Sequence, residues 1–169
     1  MEATNELGAT QLLDRIALLE ARAEHWQHVA ETDSLTELPN RRQLERRTDA
    51  RDGWFVMCDL AGFKNAQDTH PDGHSYGDRI LQEFADFLEG STRTGRGRSE
   101  DRVAARTGGD EFIVWCPSRH GARRIKQLVR AWVSGDGRVA ARAGMGKDIA
   151  SADAAMYISR ELPRGVILR

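Results

Sequence analysis

The chain has 169 residues, 40% hydrophobic and 30% charged, the composition of one globular domain with a short appendage. Its 25 Lys and Arg balance 26 Asp and Glu, so no basic field marks a nucleic-acid binder. The acidic start, Met1 to Glu6, lacks the basic and apolar regions of a signal peptide, and no apolar run reaches membrane-span length. A cytoplasmic protein without nucleic-acid or membrane partners is the expectation.

Residues 7–31 read as a helix. Leu12, Ile16, Leu19, Ala23, Trp26 and Ala30 recur four and three residues apart, a coiled-coil seam of roughly three heptads. An isolated helix with such a stripe is poorly stable and wants a partner. A second copy of the chain is favoured over the chain's own domain, although Ala23 and Ala30 weaken the seam. Residues 1–32 are thus expected to form a dimerisation stalk and 33–169 the globular domain.

Thr32 to Pro39 breaks the helix, and a short second helix is expected from Asn40 to about Ala50. Asp52-Gly53 opens Trp54–Cys58, an apolar run typical of a strand buried on both faces, ending on Asp59. From Ser75 to Leu88, the positions Ile80, Leu81, Phe84, Phe87 and Leu88 have helical spacing. Gly90 to Arg98 reads as a basic loop. Strands at Val103–Arg106 and Phe112–Cys116 flank a Gly-Gly-Asp hairpin turn. Ala122, Ile125, Leu128, Val129 and Trp132 mark another amphipathic helix. A strand at Val139–Ala143, a helix at Ala150–Arg160 and a strand at Val166–Leu168 complete the order. Such an order predicts an α+β domain with one mostly antiparallel sheet and helices packed on it. Cys58 and Cys116 lie in apolar strands and read as buried reduced thiols.

The hairpin tip has chemical potential of its own. Gly108 and Gly109 allow positive φ and close backbone approach to a ligand. Asp110 and Glu111 place two carboxylates beside that gap, and Asp59 joins them if its strand neighbours the hairpin. Carboxylates of this kind with phosphate oxygens suit Mg²⁺. Such a site orients a triphosphate and stabilises charge in phosphoryl transfer. Alone, however, Gly-Gly-Asp is also an ordinary solvent-facing turn.

Five ordered motifs lift it above that. Asp33-Ser34-Leu35-Thr36-Glu37-Leu38-Pro39-Asn40-Arg41-Arg42 resembles the D-x-L-T-G-L-P-N-R-R motif of GGDEF domains, with Glu37 in place of Gly. Asp59-Leu60-Ala61-Gly62-Phe63-Lys64 resembles D-[IL]-D-x-F-K. Asp68 with Gly73-His74-Ser75-Tyr76-Gly77-Asp78 resembles N-D-x-x-G-H-x-x-G-D. Arg106 to Phe112 matches R-x-G-G-D-E-F, and Ala152 to Tyr157 matches A-D-x-A-M-Y. The similarity covers residues 33 to about 165.

The resemblance implies a palm-like, nucleotide-cyclase-like core and a diguanylate cyclase joining two GTP into cyclic di-GMP with release of pyrophosphate. It implies Asp59, the Leu60 carbonyl and Asp110 as ligands of Mg²⁺, with Mn²⁺ as the alternative ion. Asp110 or Glu111 would help deprotonate the 3′-hydroxyl. Amides near Phe63 and Lys64 and the side chains of Arg160 and Arg164 would hold phosphates, while Gly108 and Gly109 line the substrate. Asp78 matches the guanine-recognising acid, which can accept from N1–H and the exocyclic amine. One nucleotide per domain requires a homodimer.

The pattern also departs from the family. Ala61 replaces the second acid of D-x-D, and Gln67 stands where Asn contacts guanine. Thr69-His70-Pro71-Asp72 lengthens the nucleotide-side loop by two residues, with His70 and His74 read as loop and packing residues. Arg142-Ala143-Gly144 replaces S-x-G. The family's inhibitory product site, Arg-x-x-Asp, corresponds to Arg98 and Asp101, but six residues rather than five precede Gly108. A one-residue shift in a strand turns a side chain to the opposite face unless a bulge absorbs it. Besides an active cyclase, the sequence admits a degenerate domain that binds GTP or cyclic di-GMP, or a nucleotidyl transferase making another product.

Overall fold

The architecture follows from where apolar residues alternate and where they recur at helical spacing. A computed structural model describes residues 2–93 and 102–161, with side chains for 11–92 and 102–158. Among these residues the helices are α1 (Glu2–Glu31), α2 (Arg41–Thr48), α3 (Phe63–Thr69), α4 (Gly73–Arg93), α5 (Arg119–Ala131) and α6 (Ile149–Glu161). The strands are β1 (Trp54–Ala61), β2 (Val103–Gly108), β3 (Glu111–Cys116) and β4 (Ala140–Gly146). They form one sheet in the order β2-β3-β1-β4, with every neighbouring pair antiparallel.

Alternate residues of a strand face opposite sides of a sheet. On one face Val56, Cys58, Leu60, Phe112 and Val114 meet Ile80, Phe84 and Leu88 of α4 and Ile125 and Val129 of α5. On the other, Met57, Ile113 and Trp115 meet Leu44 of α2 and Ala152 and Met156 of α6. This two-sided cover explains the unbroken apolar run at the start of β1, an inner strand. Phe84 anchors the first layer, fully buried and edge-on to Phe112 and Trp132 at centroid distances of 4.9 and 4.8 Å. Burying a side chain of that size contributes about 1.5–3 kcal/mol. In the second layer α6 crosses β4 so closely that a Cβ on Gly144 would overlap the Met156 amide and the Ala152 carbonyl.

Local chemistry sets the helix ends. Asn40 Oδ1 accepts from the Gln43 amide at the start of α2, and Ser118 Oγ accepts from the Gly121 amide at the start of α5. The end of α1 is tied to the domain. Arg46 Nη2 lies 2.6 Å from the buried Glu31 carboxylate, and Asn40 Nδ2 donates to the Ala30 carbonyl at 2.9 Å. Residues 11–30 of α1 are exposed, so the seam is not covered by its own domain. No described helix is long and apolar enough to cross a membrane. Cys58 and Cys116 are buried free thiols. Burial pushes both thiols up, Cys116 to about 11.

Several expected bounds shift: the strand expected at Val139–Ala143 is Ala140–Gly146, that at Val103–Arg106 runs to Gly108, and Trp132 follows α5 rather than lying in it. The helix α3 was not legible, because seven residues with only Ala66 buried carry no period. Strand β1 runs past Asp59 through Leu60 and Ala61, which pair with Ala141 and Ala140 of β4. Helix α4 begins earlier, at Gly73, and continues to Arg93, into the expected loop. The expected strand at Val166–Leu168 and the loop residues 94–101 lie outside the described residues.

Candidate functional site

Strand order brings the two acidic motifs together. Because β1 pairs with β3, Asp59 stands directly opposite Glu111 in antiparallel register. Directly opposed residues share a sheet face, with Cβ atoms about 5 Å apart. Asp59 is buried, 8% exposed, whereas Glu111 is exposed and Asp110 half-buried beside it in the turn. Gly108 and Gly109 have φ values of +147° and +52°, which disfavour any residue with a Cβ. Nothing lies within 4 Å of where either Cβ would stand, so the space over the hairpin tip is open. Leu60 turns its side chain into the core, 2% exposed, leaving its backbone as the part that can serve the edge.

Arg106 fixes this edge, and Arg142 lies beside it. Arg106 Nη1 donates to Asp33 Oδ1 at 3.0 Å and Oδ2 at 3.2 Å, while Nε and Nη2 donate to the Gly109 carbonyl at 3.1 and 2.8 Å. The turn is thus fastened to the segment that follows α1. Asp33 itself accepts from the Thr36 amide and hydroxyl at 3.0 and 2.7 Å. Burial tends to raise its carboxyl, but the Thr36 and Arg106 hydrogen bonds outweigh it and hold it below the usual range. Arg142, opposite Asp59 on β4, brings Nη1 to 3.6 Å from Asp59 Oδ2.

A second group gathers where α3 meets α4. A Cβ on Gly77 would stand 2.5 Å from Gln67 Nε2 and 3.3 Å from Phe63 Cζ, so Gln67 lies flat against the turn of helix that carries exposed Asp78. Gln67 therefore packs against the backbone position next to Asp78. Gly62 begins α3 at φ +85° with no side-chain cap, and Lys64 is exposed in its first turn. The lengthened loop folds onto α4: His70 stacks on Tyr76 at 4.2 Å and 12°, its Nδ1 accepting from the Asp72 amide. That contact places His70 in packing.

Of the remaining candidates, Arg160 is described only as backbone in α6, and Arg164, Arg98 and Asp101 lie outside the described residues. No cluster of three or more His, Cys, Asp or Glu able to hold a metal occurs among the described residues. The donor set nevertheless suits Mg²⁺, which takes one or two protein carboxylates and completes its shell with phosphate and water. A buried carboxylate at an open, glycine-lined edge meets that requirement. Sequence reasoning named Asp33 and Arg106 separately and noted Arg142 only as a departure. Their contacts were hidden by separation in the chain, 73 residues for Asp33 and Arg106. Strand parity, with β4 beside β1, would have found Arg142.

The family profile described as "Diguanylate cyclase, GGDEF domain" matches residues 30–144. Response regulator PleD of Caulobacter vibrioides is 34% identical over 123 residues, covering 66% of this chain and 25% of PleD. A sensory box/GGDEF family protein from Caulobacter crescentus is similar in structure, with TM-score 0.60 and 31% identity over 78% of this chain and 98% of that one. The coiled coil and GGDEF domain of DgcB from the same organism, in complex with c-di-GMP, is similar in fold. Its TM-score is 0.66 at 24% identity, over 89% of this chain and 93% of that one. The chain spans less than half the length of the curated relatives it matches.

Proposed function

The chain belongs to the GGDEF diguanylate cyclase domain family, and we propose that it condenses two GTP molecules into cyclic di-GMP as a divalent-metal-dependent homodimer. The observation that carries this reading is Asp59 facing Glu111 across β1 and β3, beside an open Gly108-Gly109 tip. In the proposal Asp59, the Leu60 carbonyl and Asp110 hold Mg²⁺ or Mn²⁺. The bound ion would supply charge neutralisation at the phosphates.

The chain's own residues do the rest. Asp78 and Gln67 accept and donate to the guanine edge from the α3–α4 junction. Backbone amides at Phe63 and Lys64, with the side chains of Arg160 and Arg164, hold the triphosphate; forked guanidinium donors suit that task. Gly108 and Gly109 let the nucleotide approach the backbone. Asp110 or Glu111 accepts the proton of a 3′-hydroxyl. Its oxygen then bonds to the α-phosphorus of the other GTP, the bond to the β-phosphate oxygen breaks, and pyrophosphate leaves. Two such steps close the ring. Residues 1–32 act as the stalk that pairs two copies and 33–169 as the cyclase domain. Free buried thiols and a nucleotide substrate fit a cytoplasmic setting.

A second reading is a domain that binds GTP or cyclic di-GMP without turnover. It draws on the arginine beside Asp59 and on Ala61 in place of an acid. Purified protein incubated with Mg²⁺ and either GTP or ATP, with products resolved by chromatography, separates the two. Cyclic di-GMP from GTP, absent in Asp110→Ala, is the expected result. GTP binding without product would sink the enzyme reading and leave the sensor.

A further inference from the structure

Asp59 sits between opposite charges. Glu111 stands opposite it on β3 and Arg142 on β4, so all three side chains share one face of the sheet. The pair is asymmetric in exposure: the Asp59 side chain is 11% exposed and that of Arg142 40%. At 3.6 Å the nitrogen and oxygen are an ion pair too long for a good hydrogen bond. The cation therefore reaches a buried carboxylate from the solvent side without being locked to it. One of the two acids proposed to hold the metal thus already has a counterion built into the chain.

We propose that Arg142 is a positioning residue that competes with the divalent cation for Asp59, so that metal is held firmly only together with nucleotide phosphates. The inference rests on the metal reading of Asp59. Its physics is direct. A cation entering at Asp59 must displace the guanidinium and is repelled by it while it stays close. A guanidinium released from a carboxylate pairs well with phosphate, bidentate and permanently charged. Nucleotide thus removes the competitor and supplies the metal's remaining oxygen ligands in one event. By linkage, metal and nucleotide raise each other's affinity.

The test measures Mn²⁺ binding by electron paramagnetic resonance on the full chain, alone and with a GTP analogue carrying a methylene bridge between the α- and β-phosphates. Arg142→Ser and the longer neutral Arg142→Gln are compared with Arg142→Lys, folding being checked by circular dichroism. Without nucleotide, the two neutral variants should bind Mn²⁺ about three- to tenfold tighter, the scale of a partly exposed ion pair plus charge repulsion. Arg142→Lys should stay near the parent, and adding Asp59→Asn to Arg142→Ser should remove the gain. With the analogue present the difference should shrink. Unchanged or weaker Mn²⁺ binding by either folded neutral variant overturns the proposal, as does a gain that survives Asp59→Asn. If Mn²⁺ still binds with the analogue, the metal reading stands without the gate. Absence of Mn²⁺ binding in every protein, with and without the analogue, overturns both.

Discussion

Arg106 and Asp33, 73 residues apart, form a two-point clamp in which one nitrogen of the guanidinium, Nη1, reaches both carboxylate oxygens at 3.0 and 3.2 Å. The other side of the guanidinium holds the Gly109 carbonyl. One side chain therefore joins the strand leading to the hairpin, the hairpin tip and the exit from α1. Its side chain is only 12% exposed, so water competes weakly.

Removing this clamp should cost stability and loosen the tip. Arg106→Ala should destabilise the fold by about 2–3 kcal/mol, the range for lost hydrogen bonds to a charged group. Arg106→Lys should recover less than half, because an ammonium lacks the fork that spans two acceptors. Urea denaturation of the parent, both variants and Asp33→Asn checks this. A double-mutant coupling near zero between positions 33 and 106 would contradict the clamp.

Glu37 stands where the family motif has glycine, and its backbone shows why glycine is used there. Its φ is +58°, and its amide donates to the Asp33 carbonyl at 2.8 Å in the turn that presents Asp33 to Arg106. Left-handed backbone costs an L-residue about 1–2 kcal/mol, against roughly 0.5–1 kcal/mol of extra chain entropy lost by glycine. Glu37→Gly should therefore stabilise the domain by about 0.5–1 kcal/mol, whereas Glu37→Ala should not. Thermal melting reads this as a rise of about 1–4 °C for glycine alone.

These two positions also show what the sequence made visible. The family resemblance grouped Asp59, Asp110 and Asp78 in one functional set, and the apolar run Trp54–Cys58 marked an inner strand because burial on both faces removes alternation. The hairpin was legible because positive φ at its tip demands glycine. Helix α3 was not, since seven residues are held by tertiary contact rather than by a periodic face. The contacts of Arg106 with Asp33 and of Arg142 with Asp59 depend on strand order and side-chain reach, which local pattern does not encode. His70, read from the sequence as a loop and packing residue, does stack on Tyr76, but that partner could not be named from local pattern.

Acid should weaken the loop that joins α5 to β4. Asp136 accepts from Ser134 Oγ at 2.7 Å, the Arg138 amide at 3.1 Å and Tyr76 Oη at 2.8 Å. The Ser134 hydroxyl foremost, then the Arg138 amide, pull its carboxyl down to about 2, with Tyr76 adding to them and burial opposing them. A carboxyl lowered in the folded state contributes stability above its unfolded value, lost as pH falls through the folded value. Stability should thus decline between about pH 4 and 2. Asp33, also lowered, contributes in the same direction. Urea midpoints measured across this window should fall less steeply for Asp136→Asn than for the parent; parallel curves would remove Asp136 from the acid response.

The uncovered seam of α1 gives the last prediction. Leu12, Ile16, Leu19 and Trp26 are 64, 46, 51 and 62% exposed, and α1 touches its own domain chiefly near its end, through Ala30 and Glu31. In the proposed homodimer a second copy would cover this stripe and bring two nucleotide sites together, as condensation of two GTP would require. Trp26→Glu removes an apolar contact worth about 1.5–3 kcal/mol per chain and sets like charges against each other. The dimer should weaken at least tenfold, since about 1.4 kcal/mol is a factor of ten. Light scattering should show monomers at protein concentrations where the parent is dimeric, and product formation per chain should fall at dilute protein and recover on concentration. Unchanged mass and unchanged activity would place the dimer contact elsewhere than on this helix.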